Sequence, residues 1–270
     1  MSHENSITDI QPFLLEEAQQ FRLAFKAAEH IIVVAGAGLS AASATPDAFA
    51  ANPSLVWQFY HYRRTKALMA QPNAAHRTLA KLSIPLYLKK VAPNAKSSHL
   101  ITQNVDGLST AALQSLSDTT MPKTSILEMH GRLFDVQWDR SASLCAALAT
   151  ADESIQNYQE AGTKEITISL SMLPRCAKCG ALARPGVVWF GEKPHHLDEI
   201  NSLVFKADMV LVIGTSSTVR PASTFAYRVR RRGGKVAIFN LEPSGEDERA
   251  DFVFTGGCEM VLPALFPELT

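Results

Sequence analysis

Long hydrophobic runs are missing from this sequence: no stretch approaches the 18 apolar residues that a membrane helix needs. Met1 to Asp9 contain no apolar signal region. Glu4, Asp9, Glu16 and Glu17 all precede the first basic residue other than histidine, Arg22. Neither a secretory signal nor an Arg-rich, acid-poor presequence is expected, which leaves the cytoplasm or nucleus. An excess of one charge is missing too. Lys+Arg 26 balance Asp+Glu 26, and no long basic stripe exists, which argues against a nucleic-acid binder. Cysteine is scarce, and four in 270 residues are too few for a disulfide scaffold. What remains is 46% hydrophobic and 19% charged, enough to bury a core of one to two domains at about 150 residues each.

Short apolar runs take the place of long ones. Ile31–Ala35, His99–Thr102, Ile126–Met129, Met209–Ile213 and Val236–Phe239 read as buried strands of a parallel sheet. Pro12 to His30 reads as a helix, because Leu14, Ala18, Phe21, Phe25 and Ala28 line one face. Residues 54–70 read as a helix carrying an aromatic and basic cluster, WQFYHYRR, at 57–64, and Asn73 would cap another that runs to about Lys81. Residues 136–175 hold no strong periodicity. The alternation predicts an α/β fold, in which ligands sit beyond the carboxyl ends of the strands. Polar clusters fall at those ends: Gly36-Ala37-Gly38-Leu39-Ser40, Gln103-Asn104-Val105-Asp106, His130-Gly131, Gly214-Thr215-Ser216 and Asn240-Leu241-Glu242. Their convergence predicts one shared ligand site.

Each cluster also has a plain structural reading. Gly36 and Gly38 would let backbone N–H groups approach a phosphate at a helix N-terminus, or would form a tight turn. A dehydrogenase would carry an acid about 20 residues further on, whereas Val56–Tyr60 is acid-free. Gln103, Asn104 and Asp106 offer amides and a carboxylate, or an Asx turn. His130 is placed to act as a general base near neutral pH, or is a hydrogen-bonded structural histidine. Thr215 and Ser216 would bind phosphate or ribose, or cap a helix starting near Pro221. Glu242 would bind ribose hydroxyls, or be a solvated loop acid. Cys176 and Cys179 form the knuckle of a structural zinc site, but a tetrahedral site needs four ligands. Cys145 and Cys258 stand apart, and His195 and His196 lie beyond the WFGE segment, so the site reads as half complete.

Taken in order, GAGLSAAS, TQNVDGL, LEMHG, the C-x-x-C, VVWFGE, GTSS and NLE resemble the sirtuins, the NAD-dependent protein-lysine deacylases. FYHYRR followed by PNAAH resembles the branch that removes acidic acyl groups, succinyl and malonyl among them. The resemblance implies NAD as cofactor, acyl-lysine proteins or peptides as partners, and a monomer that contacts neither nucleic acid nor membrane; it also allows the mitochondrion, although no presequence is seen. It implies His130 as the general base toward a ribose hydroxyl. Gln103, Asn104 and Asp106 would hold the nicotinamide and its ribose. Gly36, Ala37, Gly38, Ser40, Gly214, Thr215, Ser216, Asn240, Leu241, Glu242 and Cys258 would contact the rest of NAD. Val187, Val188, Trp189, Phe190, Gly191 and Glu192 would pair with the substrate peptide. Tyr60 and Arg63, on one helix face at i and i+3, would bind the acyl carboxylate, which arginine recognises bidentately.

Two departures accompany it. Ser43 runs directly into Ala44, where sirtuins carry a long loop that closes over NAD. Gln137-Trp138-Asp139-Arg140 leads straight to Cys145, where their first zinc knuckle stands. The expected fold is a Rossmann-like parallel sheet (12–50, 98–135 and 186–265) with a helical insert (53–85) and a truncated small zinc-type module (136–185). The expected activity is deacylation impaired by the missing loop. A catalytically dead binder of ADP-ribose or acyl-peptide is the alternative.

Overall fold

The computed structural model describes residues 12–36, 46–116, 125–138, 168–177, 179–215, 218–245 and 247–269. In chain order these form α1 (Pro12–Ala27), β1 (His30–Ala35), α2 (Pro46–Ala51), α3 (Pro53–Met69), α4 (Ala74–Leu82), α5 (Pro85–Val91), β2 (Ser97–Thr102) and α6 (Leu108–Ser115). There follow β3 (Ile126–Glu128), β4 (Gly131–Trp138), β5 (Ala183–Val187), α7 (Leu197–Lys206), β6 (Met209–Ile213), α8 (Phe225–Arg230), β7 (Lys235–Asn240), β8 (Phe252–Thr255) and α9 (Cys258–Leu265). None of the described helices is long and apolar enough to cross a membrane.

Six strands make one parallel sheet in the order β3-β2-β1-β6-β7-β8. The apolar runs become strands because both faces of the sheet are covered. Along β1, Ile31, Val33 and Ala35 point into one core with Phe21, Leu79 and Leu262, while Ile32 and Val34 point into another with Val204 and Phe225. A strand of alternating residues would leave one of these cores unfilled. This is the expected Rossmann-like α/β architecture.

The expected helix from Pro12 to His30 stops at Ala27. Asp208 accepts hydrogen bonds from the backbone N–H groups of Glu29 (2.8 Å) and His30 (2.9 Å), which ends the helix three residues early and starts β1 at His30. Asn73 does cap α4, accepting from the His76 N–H at 3.1 Å. The stretch 53–85 divides between two cores. Val56, Trp57 and Tyr60 of α3 pack with Leu133, Ala183 and Trp189, whereas Ala75, Leu79 and Leu82 of α4 join the core under the sheet. The second sheet is the antiparallel pair β4-β5. Gly131 and Gly186 make that pairing feasible, since a Cβ at Gly131 would lie 2.2 Å from the Gly186 carbonyl oxygen.

Candidate functional site

The parallel sheet reverses its order between β1 and β6. From β1 the chain moves outward to β2 and β3, and from β6 outward to β7 and β8. A crevice opens beyond the strands where connections leave in opposite directions, and such a switch point is where α/β folds bind ligands. Gly36 follows β1 there, its N–H donating to the Ile213 carbonyl at 3.2 Å. Gly214 and Thr215 follow β6 on the other side, and Gln103 follows β2, donating to the Ala35 carbonyl at 2.7 Å. The three meet at the Cα of Gly36. A Cβ added there would lie 2.6 Å from Thr215 Cβ, 2.7 Å from Thr215 Oγ1 and 2.8 Å from Gln103 Nε2. Ala37, Gly38, Ser40 and Ser216 lie outside the described residues.

The other expected residues at these ends divide by what they touch. Asn104 donates its backbone N–H to Thr102 Oγ1 at 3.0 Å, and its side-chain Oδ1 is buried with no hydrogen-bond partner among the described residues. A buried acceptor without a partner is costly unless a ligand satisfies it. Asp106 Oδ1 accepts from the Leu108 N–H at 3.0 Å, the Asx-turn geometry that opens α6. Asn240 is occupied internally: its Oδ1 accepts from the Thr215 N–H at 3.1 Å and its Nδ2 donates to the Thr215 carbonyl at 3.3 Å. Its side chain thus shapes the crevice by fixing Thr215. Leu241 and Glu242 are exposed beyond the end of β7. Cys258 opens α9 with its Sγ 3.8 Å from the Phe239 carbonyl oxygen, and burial raises its thiol above the usual range, so it is neutral.

His130 sits between β3 and β4, where its carbonyl accepts from the Val188 N–H at 2.8 Å. Burial is the largest influence on its imidazole and lowers its pKa below the ordinary 6.5; a hydrogen bond with the Gln103 backbone opposes this and nearby His195 adds to it. The outcome is a neutral ring near pH 7, the form able to accept a proton. His195 is held next to it, its N–H donating to the Met129 carbonyl at 2.9 Å.

A second group of expected residues gathers where α3 meets β5. Tyr60 is buried to 1% exposure and accepts at its hydroxyl from Trp189 Nε1 at 2.9 Å. Arg63 lies one turn on, with its guanidinium 5.7 Å from the Phe59 ring centroid and near enough to Tyr60 to act on its hydroxyl electrostatically. The segment Val187–Glu192 is not uniformly open to a peptide. Val187 pairs with Gly131, Val188 donates inward to His130, and Trp189 is buried, while Phe190 and Gly191 are exposed. The Glu192 carboxylate turns inward and accepts from the Trp189 N–H at 2.8 Å. Arg184 was not among the expected residues, yet it pairs with that carboxylate through both its Nη atoms, at 2.7 and 2.8 Å. An arginine five residues after the Cys179 knuckle, opening the run R-P-G-V-V-W, gives no periodic signal, so only packing identifies it.

The residues present fit a dinucleotide at the switch point: a Cβ-free cradle at Gly36, an unsatisfied buried amide oxygen at Asn104 and a neutral imidazole at His130. They do not fit a complete zinc site. Cys176 is buried and Cys179 exposed in a turn closed by the Gly180 N–H donating to the Cys176 carbonyl at 2.8 Å. Among the described residues no three His, Cys, Asp or Glu side chains cluster as metal ligands. Cys145 lies outside the described residues.

Comparison with known proteins accords with this geometry. The model of the Sir2 family matches residues 38–221. The mitochondrial NAD-dependent protein deacylase sirtuin-5 of Canis lupus familiaris is 37% identical over 283 aligned positions, which cover 93% of this chain and 85% of the relative. An NAD-dependent protein deacylase of Thermococcus kodakarensis is 40% identical over 224 positions, covering 82% of this chain and 76% of the relative. Among solved structures, that of a Sir2 homolog–NAD complex superposes with a TM-score of 0.73 at 27% identity, covering 93% of each chain. With a parallel sheet, a switch-point cradle and the motifs in family order, the chain belongs to the Sir2 family.

Proposed function

We propose that this chain is an NAD-dependent protein-lysine deacylase that favours acidic acyl groups, succinyl and malonyl ahead of acetyl, and yields nicotinamide and O-acyl-ADP-ribose. The observation that carries the preference is Tyr60 with Arg63 on α3, set against the segment Val187–Glu192. A cation and a phenol one helical turn apart suit a carboxylate at the end of an acyl chain. Bound NAD supplies a ribose carbon from which nicotinamide can leave. The chain's own residues would do the rest. Gly36 and Thr215 make room for the dinucleotide, Asn104 hydrogen-bonds the nicotinamide half, and neutral His130 takes a proton from a ribose hydroxyl. The exposed backbone at Phe190 and Gly191 would meet the acyl-lysine peptide.

Turnover by this chain is expected to be low. The alignment with the Canis relative runs over 283 positions, more than the 270 residues here, so that relative carries residues with no counterpart in this chain. The direct passage from Ser43 to Ala44 omits the segment that closes over NAD in sirtuins. Closure supplies orientation and excludes water, and a misplacement of about 1 Å can cost on the order of 100-fold in rate. The sirtuin-5 relatives are named as mitochondrial, which favours the mitochondrion over the cytoplasm or nucleus expected from the N-terminal residues.

The test is nicotinamide release from succinyl-, malonyl- and acetyl-lysine peptides of one sequence, together with their dissociation constants. Succinyl-lysine should bind more tightly than acetyl-lysine, and Arg63→Met should remove that difference. A sirtuin loop inserted between Ser43 and Ala44 should raise turnover. Equal binding of both acyl groups, unchanged by Arg63→Met, would sink the acidic-acyl assignment.

A further inference from the structure

Four side chains join the far edge of β5 to the Tyr60 hydroxyl. Arg184 on β5 is only 5% exposed and meets the Glu192 carboxylate at both oxygens, with Nη1–Oε1 at 2.7 Å and Nη2–Oε2 at 2.8 Å. The same Oε2 accepts from the Trp189 N–H at 2.8 Å, and the Glu192 N–H donates to the Trp189 carbonyl at 3.0 Å. The carboxylate therefore ties both ends of the turn 189–192. The Arg184 guanidinium also lies over the Trp189 ring, 4.1 Å from its centroid. The Trp189 backbone is thus held by Glu192 and its ring by Arg184, which also holds Glu192. Trp189 Nε1 then donates to the Tyr60 hydroxyl at 2.9 Å, across 129 positions of sequence.

The chemistry of that last bond has a direction. An indole N–H is a donor only, so the Tyr60 oxygen acts as acceptor toward it. The phenolic proton is then left to donate elsewhere. A hydroxyl so oriented presents a donor to an incoming carboxylate and a poor partner to a methyl group.

We infer that Arg184 is a positioning residue for acyl selectivity: through Glu192 and Trp189 it fixes the Tyr60 hydroxyl as a hydrogen-bond donor to an acidic acyl group. The inference rests on the acidic-acyl reading proposed above and adds how that preference is set. The desolvated, bidentate and stacked geometry requires arginine. A lysine retains the charge but can neither engage both oxygens in a plane nor lie flat on the indole. Trp189→Phe keeps an aromatic ring and removes the indole N–H donor.

The test combines peptide binding with a spectroscopic signal on the full chain. The protein has three tryptophans, so three indole N–H resonances report on it. The Trp189 signal is assigned by its loss in Trp189→Phe. The Trp57 signal, from a donor held 2.9 Å from the Ala183 carbonyl oxygen, serves as a control for an intact β5. Tyr60→Phe and Arg184→Lys should each move the Trp189 resonance while that of Trp57 stays. Fluorescein-labelled succinyl-lysine and acetyl-lysine peptides of one sequence are then titrated by anisotropy. Trp189→Phe and Arg184→Lys should weaken succinyl-lysine binding about 3- to 10-fold more than they weaken acetyl-lysine binding, the range for one lost hydrogen bond, because both peptides share the contact with the turn 189–192 and only the acidic acyl group uses the Tyr60 hydroxyl. Glu192→Gln should act in the same direction.

Arg63→Met is run alongside. If it abolishes the succinyl preference while Trp189→Phe retains it, and Arg184→Lys retains it with an unmoved Trp189 signal, the positioning role is wrong and the acidic-acyl reading stands. If wild type shows no succinyl preference, the acidic-acyl reading fails and takes the selectivity role with it. A Trp189 resonance still sensitive to Tyr60→Phe and Arg184→Lys would then show the linkage alone.

Discussion

Gly36→Ala should damage both the fold and the crevice beyond β1 and β6, and Thr215 is the neighbour that causes the damage. The added methyl would lie 2.8 Å from Gln103 Nε2, 2.7 Å from Thr215 Oγ1 and 2.6 Å from Thr215 Cβ. The amide is the far end of a flexible side chain and can swing away. The Thr215 Cβ cannot, because it is one bond from a backbone held by Asn240 on both its N–H and its carbonyl. Relief requires moving β1 from β6 at their ends, against the hydrogen bond from Gly36 N–H to Ile213. Overpacking of this kind costs about 1–3 kcal/mol. For a domain of this size that is a fall in Tm of about 2–4 °C per kcal/mol. The same displacement moves the walls of the crevice, so ADP-ribose affinity should fall roughly 10- to 100-fold. Thr215→Gly removes both clashing Thr215 atoms and keeps the backbone bonds to Asn240. The double variant should therefore recover most of the lost Tm, a coupling that scanning calorimetry on the four proteins of the cycle measures. If Gly36→Ala melts and binds ADP-ribose like wild type, the cradle is not packed as described and the crevice is not the cofactor site.

Other outcomes follow from single features. Asn104→Leu removes a buried acceptor that lacks a partner among the described residues, so the free protein should be as stable as wild type or more so while NAD affinity drops, as thermal melts with and without NAD would reveal; a destabilised free protein would mean that a partner had been present. His61, His76, His130 and His195 all have pKa values lowered from 6.5, with burial the largest cause in each. Below pH 6.5 the unfolded chain therefore binds protons before the folded one, and stability should fall as pH drops from 7 toward 5; a flat or rising Tm over that window contradicts the burial of these rings. The acid limb of any turnover, or of loop-restored turnover, should likewise lie below pH 6.5, and His195→Asn should move it up, because His195 helps to lower His130. Purified protein should contain much less than one zinc per chain, since half a site forfeits most of the binding energy; one tightly held zinc lost in Cys176→Ser would reveal further ligands.

The amino-acid sequence determined those properties that depend on near neighbours. Apolar runs such as Met209–Ile213 could be strands only in a sheet covered on both faces, and that fixed the α/β class. Polar clusters after each run marked the site edge, because parallel strands place all their carboxyl ends together. Asn73 as a helix cap was legible from three residues. Long-range packing decided the rest. The start of β1 at His30 depends on Asp208, the use of Asn240 as a brace for Thr215 spans 25 positions, and the Tyr60–Trp189 bond spans 129. Periodicity carries no record of such pairs, since it reports which face a residue occupies and not what stands opposite. The protonation state of His130 belongs to the same class, for it is set by burial among strands that only the folded sheet assembles. Arg184 shows this most plainly. In sequence it is one basic residue before a proline; in the fold, desolvation and two carboxylate oxygens make it the centre of the Trp189–Glu192 turn.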